Sequence, residues 1–321
     1  MRLPETEIGK IGNLIEKSHR ILIFSHKSPD GDTLGSATAL FQAFKNMGKE
    51  PALACVDIPP PVYNFIPNIR AFQQTVEALD YDAYFIVDSG AYYMTDFHTA
   101  LPAVFDKSLE TVNIDHHRSN ELFGKHNLVV PDAPSTTMIL AELFKTLGIP
   151  VDRSMATSLL TGIYTDTGSF MHSNTTPETY RMAAELLRRG ANLRQISKEI
   201  FNTTPISTLR LWGMVLKNIT QTNDNVTMSV VSQKDFERAG ADPSEMSGVI
   251  DYVNSVPGAK YSVILTEQGE KVKASLRTLR DDVDVAQIAS QYGGGGHIKA
   301  AGFSIAGKLE KEIRWKVVDT K

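Results

Sequence analysis

Two patterns of hydrophobic and polar positions divide the chain at about residue 225. In the first part, short apolar segments alternate with longer segments in which apolar residues recur every three or four positions, which predicts strands separated by helices. The predicted strands are 21–25, 51–56, 83–87, 111–114 and 127–130. The predicted helices are 33–47, 134–147, 155–163, 177–189, 193–201 and 204–221. This alternation favours an α/β domain with a mainly parallel sheet that helices cover on both faces.

The pattern changes in the last hundred residues. Segments 226–231, 261–266 and 271–278 alternate apolar and polar residues, which is typical of antiparallel strands, and 267–269 predicts a hairpin turn between the last two. A helix over 283–292, four glycines and a strand over 300–305 complete a smaller α+β domain. The predicted division of the chain is a first domain 1–190, a helical linker 191–222 and a second domain 223–321.

Composition narrows the class of protein. A chain of 321 residues exceeds the size at which one core keeps growing, so we expect two domains. With 42% hydrophobic and 22% charged residues, the chain is an ordinary globular protein and neither disordered, collagen-like nor a coiled coil. A net charge of −4 argues against sequence-independent binding of duplex DNA, because such binding needs a basic surface.

The sequence also favours a cytoplasmic location with no membrane partner. The longest apolar runs, such as 21–24 and 84–87, are far shorter than the ~20 residues that a membrane span needs. The N-terminal segment contains acids and no apolar stretch, unlike a signal peptide. The single cysteine, Cys55, excludes a disulfide framework within the chain and fits a reducing compartment.

Side chains that commonly bind metals follow several of the predicted strands. They come directly after the first, third and fourth strands, and once more in a later Thr-Asp-Thr-Gly segment. Because ligands bind outside the carboxyl ends of parallel strands, we expect these groups to converge on one spot. The converging residues are His26, Asp30, Asp32, Asp88, His116 and Asp166.

Four carboxylates at one spot repel one another unless a cation neutralises them. The local sequence holds too few lysines and arginines for that task, so a metal is the simplest answer. Carboxylates mixed with imidazoles and no thiolate favour Mn²⁺, with Mg²⁺ or Fe²⁺ as alternatives, over structural zinc. Six ligands suit two ions that share a carboxylate, ~3.5–4 Å apart, as in two-metal hydrolases. The alternative for each motif is structural, since Asp-Gly pairs form turns and Asp32 or Thr33 can cap the following helix.

The four glycines after the last predicted helix form a second candidate site. A helix stop followed by a flexible loop is the simpler interpretation. Glycines also let backbone N–H groups approach an anion, while His297 and Lys299 add donors. Arg277, on a preceding strand, suits bidentate contact with a phosphate, although a solvated strand arginine is an equal alternative. The predicted anion-binding residues are Gly294, Gly295, Gly296, His297, Lys299 and Arg277.

These motifs together resemble a known family. The segments HKSPDGDTLGS (26–36), VDSG (87–90), NIDHH (113–117) and TDTGSF (165–170) are similar to the four motifs of the DHH phosphoesterases. The segment GGGGHIKAAGF (293–303) resembles the signature of the companion DHHA1 domain. The two-domain length most resembles the bacterial oligoribonuclease and PAP phosphatase (NrnA-like) group. Between the third and fourth motifs, segment 134–137 is only a loose match.

The resemblance implies a role for each motif residue. His26 and Asp30 match the ligands of one Mn²⁺, while Asp32, His116 and Asp166 match those of the other. Asp88 matches the bridging carboxylate. Asp115 would orient a ligating histidine. His117 would face the substrate phosphate or donate a proton, with a strand-end core histidine as its alternative. The catalytic candidates are thus Asp88, Asp115 and His117.

The function that this implies is metal-dependent hydrolysis of phosphoesters by water that two divalent ions activate. Expected substrates are short RNA oligonucleotides, cut to mononucleotides, and 3′-phosphoadenosine 5′-phosphate, cut to AMP, bound in a cleft between the two domains. Alternatives are a phosphodiesterase for cyclic di-AMP or linear dinucleotides, a RecJ-like single-strand exonuclease, and a nucleotide-binding module without catalysis. A homodimer is compatible with the sequence, which leaves the oligomeric state open. His172 is expected in a capping loop, and His98 and His126 on the surface.

Overall fold

The computed structural model describes residues 3–76, 80–201, 204–310 and 312, which form two compact units divided between residues 203 and 204. The strands of the first unit are β1 (Arg20–Phe24), β2 (Glu50–Ala54), β3 (Phe72–Gln73), β4 (Ala83–Val87), β5 (Thr111–Asp115) and β6 (His126–Val129). Its helices are α1 (Glu5–Lys17), α2 (Gly31–Asn46), α3 (Pro102–Phe105), α4 (Thr136–Thr146), α5 (Arg153–Asp166), α6 (Pro177–Arg188) and α7 (Leu193–Phe201).

The second unit follows with fewer and shorter helices. Its strands are β7 (Thr220–Gln221), β8 (Val226–Val231), β9 (Tyr261–Gln268), β10 (Lys271–Arg277), β11 (Gly295–His297) and β12 (Ala300–Ala306). Its helices are α8 (Ile206–Lys217), α9 (Gln233–Ala239), α10 (Val249–Val253) and α11 (Val285–Ser290). The predicted domain limits 1–190, 191–222 and 223–321 remain predictions. Residues 202 and 203 of the predicted linker, and 311 and 313–321 of the predicted second domain, lie outside the described residues.

The six strands of the first unit form one parallel sheet, in the order β3-β2-β1-β4-β5-β6. The order reverses between β1 and β4, which are neighbours in the middle of the sheet. At such a reversal the connections leave toward opposite sides and open a crevice at the carboxyl ends of the strands. The predicted parallel sheet is confirmed, and the two central strands are those followed by the first and second motifs.

Both faces of this sheet are covered, as predicted, but by unequal layers. Alternate residues of β1 point to opposite faces, so Ile21 and Ile23 join one core cluster while Leu22 and Phe24 join another. The larger cluster contains the apolar sides of α1, α2, α4 and α5. The smaller one is closed by α3 and its flanking loops, through Phe97, Leu101 and Val104.

Helix α1 is an element that the sequence analysis missed. Its buried residues are Ile8, Ile11 and Ile15, which lie three and four positions apart and therefore on one side of the helix. The polar residues between them hid this spacing, since the segment contains no continuous apolar run. The signal was nevertheless present in the sequence.

The sheet of the second unit corrects one prediction. Its order is β11-β12-β10-β9-β8-β7, and most neighbours are antiparallel, but β8 and β9 are parallel. The reason is the connection between these two strands, which contains α9 and α10 and brings the chain back to the end where β8 began. The predicted hairpin between β9 and β10 is confirmed, with Gln268 paired to Lys271 across the turn.

In the described part of the chain, no helix combines the length and the apolar character that crossing a membrane requires.

Candidate metal centre

The two central strands of the parallel sheet place Asp88 at the middle of the site. Asp88 follows β4 directly, is 2% exposed, and has a φ of +56°, a left-handed conformation that aspartate tolerates better than most residues. The Asp88 N–H donates to the carbonyl of Ile114 at 2.9 Å, which continues the β4–β5 ladder to this residue. The side chain therefore leaves the sheet at its carboxyl edge from a fixed backbone.

Imidazoles from two other strands flank the Asp88 carboxylate. Nε2 of His26, two residues after β1, lies 3.5 Å from Asp88 Oδ2. Nε2 of His116, directly after β5, lies 3.6 Å from Asp88 Oδ1 and 3.3 Å from Asp166 Oδ2. Asp30 Oδ1 lies 3.9 Å from His26 Nε2. Asp88 thus has one oxygen directed to each histidine, as a bridging ligand requires.

The start of helix α2 holds the first motif in place. Asp30 is its N-cap, since Oδ1 accepts hydrogen bonds from the N–H groups of Asp32 and Thr33, each at 3.0 Å. The structural alternative, in which Asp32 or Thr33 caps the helix, is therefore wrong. Asp32 instead points from the first turn into the buried interior beside helix α4.

Asp32 is fully buried, and the N-terminus of α4 binds both of its oxygens. Oδ2 accepts from the N–H of Thr136 at 2.6 Å, while Oδ1 accepts from the N–H and the hydroxyl of Thr137 at 3.0 and 2.6 Å. The Thr136 hydroxyl donates to Asp88 Oδ1 at 3.0 Å. A helix N-terminus is the favourable end for a carboxylate, because unpaired N–H groups and the helix dipole are directed at it. Segment 134–137, a loose motif match, therefore orients two carboxylates.

Close packing of α2 against α5 brings Asp166 to the same place. A Cβ on Gly35 would lie 2.4 Å from the carbonyl oxygen of Ser158, and one on Gly162 would lie 2.5 Å from Asp32 Oδ1. The helices approach this closely only because neither position has a side chain. Asp166, the last residue of α5, consequently ends beside His116 and Asp32.

Asp115 is held away from this cluster and orients His117. It is fully buried at the end of β5, and its Oδ1 lies 2.7 Å from His117 Nδ1. Its Oδ2 accepts from the side-chain amide of Asn120 at 2.6 Å. The same amide also contacts the Asn113 side chain, at 2.8 Å. The histidine that Asp115 contacts is thus His117, while Nδ1 of His116 faces the carbonyl of Ala133 at 3.3 Å.

The arrangement shifts the pKa of most of its members. Burial disfavours the His26 cation, but the hydrogen bond and charge of Asp88 outweigh it and raise the pKa to about 9. For His117, Asp115 outweighs burial in the same way and raises the pKa to about 9. Burial works against ionised Asp88, yet hydrogen bonding to His26 and the charges of the histidines lower its pKa to about 2.

The pKa values of two other carboxylates shift in the opposite direction. Burial, followed by the charge of Asp88, raises the pKa of Asp32 well above its usual range. Burial, followed by the charges of Asp32 and Asp88, does the same for Asp166. Without a further cation, this cluster binds protons that its carboxylates would release in water.

The donor set fits divalent metal ions. Three sets of side chains each have their ligand atoms within 4.8 Å of one another, and the first set is His26, Asp30 and Asp88. Oxygen and imidazole donors without thiolate suit hard or borderline ions. The second set is Asp32, His116 and Asp166, and the third is Asp88, His116 and His117. The first two are the ligand groups expected from the resemblance, although their roles remain predictions.

Family models match both parts of the chain. Residues 20–163 match the N-terminal domain of the DHH family, and residues 223–319 match the DHHA1 domain. The chain belongs to the DHH family. As a DHH protein it is a phosphoesterase, a hydrolase that acts on ester bonds, and the resemblance noted in its motifs is confirmed.

Curated relatives and a solved structure agree with this assignment. This DHH protein is 36% identical over 292 residues to the "Bifunctional oligoribonuclease and PAP phosphatase NrnA" of Thermus thermophilus, covering 89% of this chain and 84% of that protein. It is 23% identical to the protein of the same name from Bacillus subtilis, over 89% of each chain. An "exopolyphosphatase-related protein" from Bacteroides fragilis has the same fold, with a TM-score of 0.89 at 24% identity over 96% of this chain and 93% of that one.

The second unit places the predicted anion-binding residues on and beside one edge of its sheet. The pairing aligns His297 of β11 and Arg277 of β10 with Ala300 of β12, one on each side. Residues directly opposite in a ladder share a face, so these two side chains lie on one face, two strand spacings or ~10 Å apart. Arg277 Nε lies 4.0 Å from Asp251 Oδ1, and Lys299 forms an ion pair of 2.8 Å with Asp281.

Part of the glycine run has a structural explanation. A Cβ on Gly294 would lie 2.2 Å from the carbonyl oxygen of Gly302, and Gly296 has a φ of +144° and would contact the carbonyl of Ala300 at 2.5 Å. Both positions therefore need glycine for the β11–β12 pairing. A Cβ on Gly295 would meet nothing within 4 Å, so packing does not explain that glycine.

Three histidines outside the motifs have definite places. His172 is exposed in the turn after α5, and its ring lies against Gly168, as a capping-loop residue would. His98 and His126, predicted at the surface, are both partly buried and partly exposed. His126 is in β6 with Nε2 3.2 Å from Glu110 Oε2, and His98 lies against the ring of Tyr92. Neither of these two belongs to the metal-ligand sets found in the described residues.

Proposed function

We propose that this DHH protein hydrolyses short oligoribonucleotides to mononucleotides and 3′-phosphoadenosine 5′-phosphate to AMP, with two divalent ions, preferably Mn²⁺, as cofactors. The observation that supports the proposal most is the Asp88 carboxylate, which has one oxygen toward His26 and the other toward His116. The relatives from Thermus thermophilus and Bacillus subtilis are named for these two activities.

The residues around Asp88 fall into those that would hold the metal ions and one that would donate a proton. His26 and Asp30 would hold one ion, and His116, Asp32 and Asp166 the other, with Asp88 between them. The chemistry that two divalent ions supply there is neutralisation of phosphoryl charge and a lowered pKa of water. Thr136 keeps the Asp88 carboxylate in position through its hydroxyl.

His117 is the proposed proton donor. Asp115 binds its Nδ1 and raises its pKa to about 9, so the imidazole is a cation at neutral pH. A cation at this position stabilises a phosphate oxygen and is able to give its proton to the leaving oxygen. His117 Nδ1 also lies 3.9 Å from Asp88 Oδ1, beside the place where the scissile phosphate would bind.

The second unit is proposed to bind the far end of the substrate. Arg277 and His297 lie on one face of its sheet. Gly295 follows helix α11 in the chain, and no atom lies within 4 Å of the position that its Cβ would take, so its backbone is accessible. A guanidinium is suited to bidentate phosphate contact, and glycine N–H groups to close approach. The expected consequence is a preference for substrates with a second phosphate or nucleoside.

A turnover assay with five substrates tests the proposal. Purified protein, freed of metal with a chelator and reloaded with Mn²⁺ or Mg²⁺, is given a dinucleotide, a five-nucleotide RNA, a long RNA, 3′-phosphoadenosine 5′-phosphate and cyclic di-AMP. We expect the dinucleotide, the five-nucleotide RNA and the bisphosphate to be cut fastest, with Mn²⁺ more effective than Mg²⁺. Elemental analysis should find two ions per chain.

Other outcomes would assign the protein differently. Fastest turnover of cyclic di-AMP would favour the cyclic-dinucleotide alternative, and fastest degradation of the long RNA would favour a processive exonuclease. Binding of all five without hydrolysis would leave a nucleotide-binding module. Full activity in chelator-treated protein would refute the metal site itself.

A further inference from the structure

Two exposed tyrosines follow the second motif in the chain and belong to no hydrophobic core of the described residues. Tyr92 and Tyr93 begin a 3₁₀ turn, Tyr92–Thr95, four and five residues after Asp88. Their exposed fractions are 41% and 50%, and neither ring belongs to the core clusters of the described residues. Adjacent exposed aromatic side chains that packing does not explain are typical of a binding surface.

The two rings are nevertheless held in place. The centroids of Tyr92 and Tyr93 are 5.6 Å apart, with the rings at 82°, and Tyr92 makes a second edge-to-face contact with His98, at 5.4 Å and 80°. His98 Nδ1 is buried and has no hydrogen-bond partner in the described part of the chain, so the imidazole acts here as a packing surface. Rings fixed before a ligand arrives lose little conformational entropy on binding.

A backbone hydrogen bond connects this turn to the first motif. The N–H of Lys27, next to His26, donates to the carbonyl of Met94 at 2.9 Å. Standard backbone dimensions then place the Cα of Tyr93 within about 11 Å of the Cα of Lys27. The tyrosines are thus close in the fold to His26, and close in the chain to Asp88. This bound joins a backbone atom of the turn to one next to His26, so the turn is a neighbour of the first motif.

The turn also has a charge suited to a nucleotide. Lys27 Nζ lies at its border, 3.8 Å from Asp96 Oδ1, and its side chain is half exposed. In the part of the chain that the structure describes, no atom forms a hydrogen bond with the hydroxyl of Tyr92 or Tyr93. Both hydroxyls are therefore available to a base or a ribose. An aromatic surface bordered by a cation is the combination that binds single-stranded nucleic acid regardless of its sequence.

We infer that Tyr92 and Tyr93 form a stacking surface for the nucleobase next to the scissile phosphate. This inference rests on the proposed function and adds to it how the base is bound and why its identity is unimportant, since every base has a π-face. It assigns to the first unit a grip on the substrate separate from the one proposed for Arg277 and His297.

Binding measurements with Tyr93 variants test the inference. Calorimetry in the presence of Mn²⁺ compares a diadenosine joined by a non-hydrolysable phosphonate with the same compound lacking both bases. Stacking on one aromatic ring corresponds to a ~5- to 150-fold change in affinity. We expect Tyr93→Ala to lose that much affinity for the diadenosine and none for the abasic compound, and Tyr93→Phe to remain within about twofold of the natural protein.

The matched control is Tyr81→Ala. Tyr81 also belongs to an edge-to-face tyrosine pair, with Tyr84, but precedes β4 and thus lies at the opposite edge of the sheet. Its removal should leave both affinities unchanged. Equal losses of Tyr93→Ala on both compounds, an unchanged affinity for the diadenosine, or no binding of the diadenosine to the natural protein would each overturn the inference. Because binding is measured without turnover, a failure to hydrolyse any oligonucleotide would instead refute the proposed function alone.

Discussion

Asp88 directs one carboxylate oxygen to His26 and the other to His116, which belong to the two proposed groups of ligands. It is buried, has a left-handed backbone, and its pKa is lowered to about 2, so it remains ionised over the whole physiological range. Burial, followed by the charges of nearby carboxylates that include Asp88, raises the pKa of its neighbours Asp32 and Asp166, whereas at Asp88 the hydrogen bond to His26 and the charges of the histidines outweigh burial.

Replacing Asp88 with asparagine should abolish most activity. The amide keeps the shape but loses the charge that would bridge two ions, so turnover should fall by at least ~10²-fold, as for other charge-stabilising groups. Elemental analysis should find fewer than two ions per chain. The outcome against this role would be a variant with a full complement of metal and near-normal turnover.

Asp115 contacts His117, so its proposed role is to act through this histidine. Asp115→Asn removes the charge that raises the pKa of His117, and should lower activity by ~10–100-fold while the fold is retained. The pH–rate profile is the decisive measurement, because the limb belonging to His117 should move to lower pH. Asn120→Ala removes a donor to the other Asp115 oxygen but keeps the charge, so it should not move that limb to lower pH. An unshifted profile would show that Asp115 has only a structural role.

At the scale of elements, three helix ends determine the site. The first turn of α2 provides Asp30 and Asp32, the N-terminus of α4 binds Asp32, and the last residue of α5 is Asp166. The contact of α2 with α5 depends on Gly35 and Gly162, and Thr38 donates to the hydroxyl of Ser158 at 2.9 Å within it. The separation of these helices therefore decides the separation of the ligands.

Gly162→Ala should weaken metal binding without any change of ligand. The added methyl group would lie 2.5 Å from both Asp32 Oδ1 and Thr137 Oγ1, so α5 must move or Asp32 must turn. Overpacking of this kind costs ~1–3 kcal/mol of unfolding free energy. Metal titration followed by calorimetry should show a weaker affinity as well.

The matched control is Gly9→Ala in α1. Nothing lies within 4 Å of the added Cβ there, and alanine favours helix by up to ~1 kcal/mol. This variant should be as stable as the natural protein or more so, with unchanged metal affinity. Equal metal affinity in both variants would show that the α2–α5 distance does not control the site.

At the scale of the whole molecule, metal and protons compete for one cluster. The His26 pKa is raised from 6.5 to about 9, so its protonated form stabilises the metal-free fold fully below pH 6.5, and that contribution is lost as pH rises through 9. His117 behaves in the same way. Raised pKa values at Asp32 and Asp166 act in the same direction, because their protonated forms are favoured in the folded state.

Thermal unfolding at several pH values should therefore depend on metal. In chelator, the melting temperature should fall between pH 6.5 and 9. With Mn²⁺ the trend should reverse, because binding requires neutral His26 and ionised carboxylates and thus becomes tighter as protons leave. Calorimetry in buffers of different ionisation enthalpy should detect proton release on metal binding. Parallel curves with and without metal would contradict the proposed ligands.

Arg277→Ala distinguishes a role in substrate binding from a role in the hydrolysis step. If the second unit binds the far end of the substrate, KM should rise for dinucleotides and the bisphosphate, while metal content stays unchanged. The effect should be small for bis-p-nitrophenyl phosphate, which has no far end. Lys308→Ala, at an exposed ion pair with Glu270 in the same unit, is the control and should change neither. Equal losses on all substrates would indicate a structural role for Arg277.

The sequence by itself determined the fold of the first unit and most of the side-chain cluster proposed to hold metal. Alternating strand and helix periods require a parallel sheet, and parallel strands place the residues after β1, β4 and β5 at one edge. His26, Asp30, Asp88 and His116 could therefore be grouped from their positions in the chain alone. Local rules sufficed because each of these residues lies within a few positions of a strand end.

Only the tertiary structure decided which residues distant in the sequence contact these side chains. The binding of Asp32 by Thr136 and Thr137 joins positions more than a hundred residues apart, and the choice of His117 as the partner of Asp115 depends on side-chain direction. The parallel pairing of β8 with β9 depends on the helices between them, since an alternating pattern is the same in both directions of pairing. Periodicity reports which face of an element is buried, whereas long-range packing selects its partner.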